Sequence, residues 1–324
     1  MAEDTELIPV VVGERTIPPP KTISPAARMA LSMGAAAPRL AWPDPADHAA
    51  WRARIAERAA LFEETVKATL AAATVEAHDA AIGGVPCYRA EPEGWQAGRD
   101  PLYLFIHGGA FVFGGGTIAR AQGAGNATRL GVACVSVDYR MPPEHPFPAA
   151  PKDCLAVYEA LVAEMPADRI VIGGASAGGN LAAVTALMIR DRGLPAPAGV
   201  VLLTPEVDLT EAGDSFRTHV MIDTVLKGGL PECNALYAGG AALDEPYLSP
   251  LLADLAGFPP TLVQAGTRDL FLSNAAMFHR KLRRAGVRAE LHVWEAMPHG
   301  GFGGMTPEDA EVYAEVAAFI KSVT

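Results

Sequence analysis

Apolar runs at residues 102–107, 132–138, 170–173, 200–204, 262–265 and 289–294 recur along the chain, separated mainly by segments of helical character. A strand apolar at successive rather than alternate positions is covered on both faces, and helices between such strands bring them parallel. The pattern therefore predicts an α/β fold: a mostly parallel twisted sheet with helices on both faces. Residues 74–78 and 85–89 flank Ile82-Gly83-Gly84 and predict a hairpin that opens this sheet. At the far end, Thr306-Pro307-Glu308-Asp309 joins a cap residue, a proline and two acids, which suits the start of a last helix.

Before the sheet, residues 1–23 are proline-rich and read as an irregular arm, with an early apolar stretch Leu7-Ile8-Pro9-Val10-Val11-Val12. Ser24-Pro25 reads as the cap and first turn of a helix. From Asp47, the positions Trp51, Ile55, Ala59, Phe62, Val66 and Leu70 fall at helical spacing. They predict an amphipathic helix with Arg52, Arg54, Glu57, Arg58, Glu63 and Glu64 turned mostly to solvent. Residues 205–260 break the alternation; they hold six prolines, with helical material over 216–238. A connection this long inside a compact domain is usually a functional insertion. The expected organisation is a helical arm or cap over 1–73 and a catalytic domain over 74–324. A cap insertion at about 206–246 joins the arm as a lid over the carboxyl edge of the sheet.

Half of the 324 residues are hydrophobic, enough for a sizeable core, and the net charge is -11. A dispersed acidic balance argues against nucleic acid or an anionic membrane as the partner. Cys87, Cys134, Cys154 and Cys233 are far apart, with no C-x-x-C and no His at metal-ligand spacing, and read as reduced thiols. The start Met1-Ala2-Glu3-Asp4-Thr5-Glu6 lacks the apolar core of a secretory signal. No uninterrupted apolar run approaches the ~18 residues of a membrane span. A cytoplasmic protein is expected.

Within this frame, Arg169-Ile170-Val171-Ile172-Gly173-Gly174-Ala175-Ser176-Ala177-Gly178-Gly179-Asn180-Leu181 carries a strand into a tight glycine turn and then a helix, with one serine at the tip. That G-x-S-x-G context presents a nucleophilic hydroxyl. A serine alcohol is a poor nucleophile at neutral pH, so it needs a base, an acid to orient the base, and donors for the oxyanion. Of the eight histidines, His48 and His279 fall on helical, solvated segments and His292 lies inside a strand pattern. His299, in Met297-Pro298-His299-Gly300-Gly301-Phe302, sits in a flexible loop after the last strand, where a base can swing over the serine. Asp269, just past the preceding strand in Gly266-Thr267-Arg268-Asp269, is the candidate acid. Oxyanion donors are expected from Ala177 N–H and from the loop His107-Gly108-Gly109-Ala110-Phe111. Gly114-Gly115-Gly116 matches no phosphate-binding spacing and reads as a plain flexible turn. Glu206 and Asp208 lie beyond a strand end and read equally as structural or as pocket-lining.

With these residues in place, the chain resembles the hormone-sensitive-lipase-like branch of the α/β hydrolases, the bacterial family IV esterases, over about residues 75–322. His107-Gly108-Gly109-Ala110-Phe111 is similar to that family's H-G-G-G-F/W loop. Val137-Asp138-Tyr139-Arg140-Met141-Pro142-Pro143-Glu144-His145-Pro146-Phe147-Pro148-Ala149-Ala150 is very close to its V-D-Y-R-L-A-P-E-H-P-F-P-A-A block, the most specific match. Gly174-Ala175-Ser176-Ala177-Gly178-Gly179 resembles G-D-S-A-G-G, and His299-Gly300-Gly301-Phe302 resembles H-G-F. Asp269 falls at the first Asp of D-P-L-x-D. The resemblance implies an α/β-hydrolase fold, a Ser176–His299–Asp269 triad, and an oxyanion hole built from Gly108, Gly109 and Ala110 of the loop and Ala177 of the elbow, with Gly109, Ala110 and Ala177 giving the N–H groups. It also implies short acyl esters as substrates, with no metal or organic cofactor.

Three departures stand out: Ala110 replaces the third loop glycine, Ala175 replaces Asp or Thr before the nucleophile, and Leu270-Phe271-Leu272-Ser273 replaces the Pro and second Asp. Ala110 and Ala175 are where substrate preference is to be sought. The Asp138–His145 block reads as a buried network that supports the oxyanion loop, His145 included, and His107 reads as fixing the glycine turn. A lactone hydrolase, an amidase or a thioesterase would share the same triad. A non-catalytic ligand receptor on this scaffold is the rival from another class, and the presence of His299 argues against it. A homodimer is left open.

Overall fold

Each apolar run becomes a strand of one central sheet. The structure, a computed structural model, describes residues 9–324, so the expectation for Leu7 and Ile8 lies outside the described residues. The strands are β1 (Ala77–Ile82), β2 (Val85–Ala90), β3 (Leu102–Ile106), β4 (Ala133–Val137), β5 (Ile170–Ala175), β6 (Gly199–Leu203), β7 (Thr261–Gly266) and β8 (Ala289–Trp294). Their spatial order is β1-β2-β4-β3-β5-β6-β7-β8. β1 and β2 are antiparallel, as are β2 and β4, and every other pair is parallel.

Alternation along the strands divides two cores. Leu102, Leu104 and Ile106 face one side with Ile170, Ile172, Val200, Leu202 and Val263. That side is covered by α4 (Ala149–Glu164), α5 (Ala177–Asp191) and α8 (Leu272–Arg284). Tyr103 and Phe105 face the other side with Val171, Val201 and Leu262, under α3 (Thr117–Leu130) and α9 (Pro307–Val323). Burial on both faces explains why the inner strands read as continuous apolar runs, whereas the edge strand β8 is only partly covered.

Local signals land where expected. Gly83 and Gly84 take φ of 59° and 76°, the left-handed pair that a two-residue hairpin turn requires. The hairpin zips up to that turn, so β1 begins at Ala77 rather than at residue 74. Ser24 caps α1 (Pro25–Ala36), Asp47 caps α2 (His48–Ala72), and Thr306 with Asp309 forms a capping box on α9.

Expectations about the outer elements hold only in part. α2 buries only Trp51 and Val66, while Leu61, Phe62 and Leu70 are exposed. Helical spacing marks a stripe but not what covers it, and this helix has no sheet beneath it. Arg58, expected in solvent, is half-buried with its guanidinium over the rings of Trp42, Phe62 and Phe113. The helical reading of residues 216–238 resolves into two short helices, α6 (Ser215–Thr218) and α7 (Pro231–Ala238), joined by turns.

Candidate active site

The carboxyl ends of β3, β5, β7 and β8 bring the sequence-predicted residues to one point. Ser176 closes β5 at φ 57° and ψ -122° and opens α5. This sharp turn depends on its glycines. A Cβ on Gly174 would stand 2.3 Å from the Gly178 carbonyl oxygen, and one on Gly178 would stand 2.0 Å from that of Ile106. Backbone contact of this kind locks the elbow against β3.

His299 Nε2 lies 2.8 Å from Ser176 Oγ, and His299 Nδ1 lies 3.1 Å from Asp269 Oδ1. Asp269 is fully buried and His299 nearly so. The Nδ1 proton faces the carboxylate, which leaves Nε2 as the acceptor for the serine hydroxyl. Asp269 Oδ1 also accepts the Phe271 N–H at 2.9 Å, while Oδ2 is buried without a partner. The base loop is docked in turn: Ala296 N–H donates to Thr267 Oγ1 at 2.7 Å, and Arg268 N–H donates to the Met297 carbonyl at 3.2 Å.

On the opposite side of the serine, the loop after β3 runs through positive φ at Gly109 (120°), Ala110 (51°) and Phe111 (63°). The left-handed region costs a non-glycine residue roughly 1 kcal/mol, so packing must hold it. Phe111 stacks on Tyr237 at 4.0 Å, and Phe113 N–H donates to the Gly109 carbonyl at 2.8 Å. A Cβ on Gly108 would lie 3.3 Å from Ser176 Cβ, so the loop rests directly on the elbow. Among the described residues, the N–H groups of Gly109, Ala110 and Ala177 donate to no protein acceptor. Ala177 is the first residue of α5, where the helix dipole favours negative charge.

His107 takes the structural place expected of it. Its Nδ1–H donates to the Gly108 carbonyl at 2.9 Å, its ring stacks on Tyr139 at 4.2 Å, and burial pushes it down to about 4, so it stays neutral. The block that follows β4 supports this loop through Asp138 and Tyr139. Asp138 accepts the Gly116 N–H at 3.0 Å, and Tyr139 donates its hydroxyl to the His107 carbonyl at 3.0 Å. His145, expected in the network, is exposed and makes no side-chain hydrogen bond to it among the described residues. Gly114-Gly115-Gly116 is likewise not a plain turn. A Cβ on Gly114 would come 2.4 Å from the Gly108 carbonyl, and one on Gly115 would come 2.7 Å from Asp138 Oδ1.

Two side chains near the acid and base were not foreseen: His219 and Asp223, in the segment between β6 and β7. Nothing local in Thr218-His219-Val220-Met221-Ile222-Asp223 marks them, because their partners lie far along the chain. Asp208 is structural, accepting the Thr210 N–H at 3.0 Å and its hydroxyl at 2.6 Å.

Glu206 sits behind the elbow, with its N–H directed to the Ser176 carbonyl and its Oε1 accepting from Asn234 Nδ2 at 2.8 Å. Burial raises its carboxyl to about 8, Asn234 opposes the shift, and Glu211 and Asp208 add to it. Below the unfolded value of ~4.5 both states are protonated; above it only the unfolded chain ionises, so stability falls until about pH 8. Glu206→Gln should therefore gain stability relative to wild type across that window, reaching about 2–5 kcal/mol above pH 8. Urea unfolding of both proteins at pH 5 and pH 8.5 checks this; a difference independent of pH would contradict it.

All four cysteines are buried and unpaired. Among the described residues no group of three or more His, Cys, Asp or Glu side chains is arranged to hold a metal ion, and no helix is long and apolar enough to cross a membrane.

The wound sheet and its serine elbow define the class, an α/β hydrolase. The α/β-hydrolase-fold family model matches residues 103–302. An esterase of Acinetobacter venetianus is 33% identical over 261 residues, which is 77% of this chain and 83% of that protein. An acetyl-hydrolase of Streptomyces hygroscopicus is 32% identical over 236 residues, or 71% and 77% of the two chains. The solved structure of an esterase called E25 superposes with a TM-score of 0.86 at 34% identity, covering 97% of this chain and 99% of its own. An esterase from the bacterial hormone-sensitive lipase family gives 0.78 at 30% identity, covering 93% and 98%. The chain belongs to the hormone-sensitive-lipase-like carboxylesterases of the α/β-hydrolase family.

Proposed function

We propose that this carboxylesterase cleaves small, short-acyl esters through a serine acyl-enzyme. Ser176 Oγ attacks the ester carbonyl while His299 Nε2 takes its proton, and Asp269 holds the imidazole and stabilises the imidazolium that forms. The developing oxyanion is received by the N–H groups of Gly109, Ala110 and Ala177. His299 returns its proton to the leaving alcohol, and a water activated by the same base clears the acyl group. The hydrogen-bonded run from Ser176 through His299 to Asp269 is the observation that carries this reading.

The limit on acyl length rests on the apolar cluster formed by Trp51 of α2, Ala110 and Phe113 of the oxyanion loop, and Phe216, Leu230 and Leu236 of the segment between β6 and β7. In this reading the described part of the arm, residues 9–73, and the insertion at about 206–246 act as a cap that closes the acyl site. A series of aryl esters from acetyl to dodecanoyl, assayed beside simple lactones, tests the assignment. Turnover should be highest at the short end and should exceed that of the lactones; a maximum at the long end, or faster opening of lactones, would overturn it.

A further inference from the structure

The peptide that follows the candidate acid is held at both of its ends by the segment between β6 and β7. Its oxygen, the Asp269 carbonyl, lies 2.8 Å from His219 Nδ1. A carbonyl only accepts, so Nδ1 carries the proton. Its N–H, that of Leu270, donates to Asp223 Oδ2 at 2.8 Å. The same oxygen lies 3.2 Å from the backbone N of His299, with Oδ1 at 3.4 Å. Asp223 is thus a bridge between the acid loop and the base loop.

The bridge is itself anchored. Asp223 Oδ1 accepts the N–H groups of Val225 at 2.9 Å and Leu226 at 3.1 Å, and the Asp223 N–H donates to the His219 carbonyl at 3.0 Å. Both side chains therefore leave one short, internally bonded turn, and Asp223 is fully buried. A carboxylate that collects this many backbone donors is a rigid fixture rather than a substrate contact.

We propose that Asp223 and His219 are positioning residues that set the separation of the Asp269 carboxylate from the His299 imidazole, and that the Asp223 charge favours the imidazolium formed during attack. The inference rests on the serine mechanism above. The ionisable groups facing Asp223 are His299 and Asp269 on the catalytic loops, with His219 on its own turn. Burial lifts the Asp223 carboxyl to about 6, His299 pulls it down and Asp269 pushes it up. The charge is therefore present on the alkaline side, where a serine esterase needs a neutral base that becomes cationic in the transition state.

Asp223→Asn removes the charge and part of the accepting capacity while keeping the shape. It should lower kcat by about 10–100-fold, the scale set by sub-ångström misplacement of catalytic groups. KM should stay within about threefold, because neither residue faces substrate. The acid limb of the kcat/KM profile should move to lower pH, since loss of a nearby negative charge makes His299 harder to protonate. A folded Asp223→Asn protein with wild-type kcat and an unmoved acid limb would overturn the proposal. Should that variant fail to fold, His219→Phe decides: a drop in kcat at constant KM supports it, and wild-type kcat refutes it. Covalent labelling of wild-type Ser176 by a fluorophosphonate, run alongside, separates failure of this inference from failure of the serine mechanism.

Discussion

Ser176→Ala is expected to lower kcat by about 10⁵-fold or more while leaving the unfolding transition almost unchanged. The hydroxyl is the only group lost, and among the described residues its one side-chain hydrogen bond is to His299 Nε2 at 2.8 Å. The elbow keeps a Cβ of the same size at the same φ of 57°, and the glycines that permit the turn are untouched. Residual turnover would come from the oxyanion donors and substrate binding alone. Steady-state kinetics paired with thermal unfolding makes the comparison. Near wild-type activity would mean that the attacking group lies elsewhere.

Asp269→Asn should cost about 10³–10⁴-fold in kcat, on the scale known for this change in serine hydrolases. The amide cannot stabilise the imidazolium by charge, and in the orientation that turns Nδ2 toward the ring it traps His299 in the wrong tautomer. Folding should survive in either orientation, because the change is isosteric: with Oδ1 kept in place the Phe271 N–H bond stays and Oδ2 has no partner to lose, and with Nδ2 turned to the ring only that one N–H bond is given up. A loss below tenfold, measured on folded protein, would point to another acid.

What the sequence carried most clearly was whatever the backbone demands locally. Burial on both faces of β3, β4, β5 and β7 forces continuous apolar runs, so the parallel sheet could be read directly. Caps at Ser24, Asp47 and Thr306, and the glycines of the elbow, are consequences of single turns. The contact of Ser176, Asp269 and His299 was foreseen because each lies just past a strand, and parallel strands deliver their carboxyl ends to one edge. Relations across long stretches of chain left no such trace. The spacing of Trp51, Phe62 and Leu70 was helical, yet which of them is covered depends on a partner that periodicity does not name. His145 belongs to a well-matched block but is exposed, while Asp223 belongs to no motif and reaches the amide of His299, 76 residues away. Gly114-Gly115-Gly116 read as slack because glycine signals freedom and close approach with the same letter.

The site has two halves with different supports. In the proposed mechanism, the side that holds Ser176 and the Gly109–Ala110 loop is supported by backbone packing, by His107 and Tyr139, and by Asp138. The side that holds Asp269 and His299 receives hydrogen bonds from the segment between β6 and β7. Substitutions in that segment should therefore affect kcat even where they touch no substrate.

The most direct test of the serine mechanism is the mass of the folded protein after treatment with a fluorophosphonate, followed by peptide mapping. One adduct is expected, on the peptide containing Ser176, formed in parallel with loss of esterase activity and absent from Ser176→Ala. Folded, ester-cleaving protein that stays unlabelled, or that carries the adduct on another residue, would contradict it.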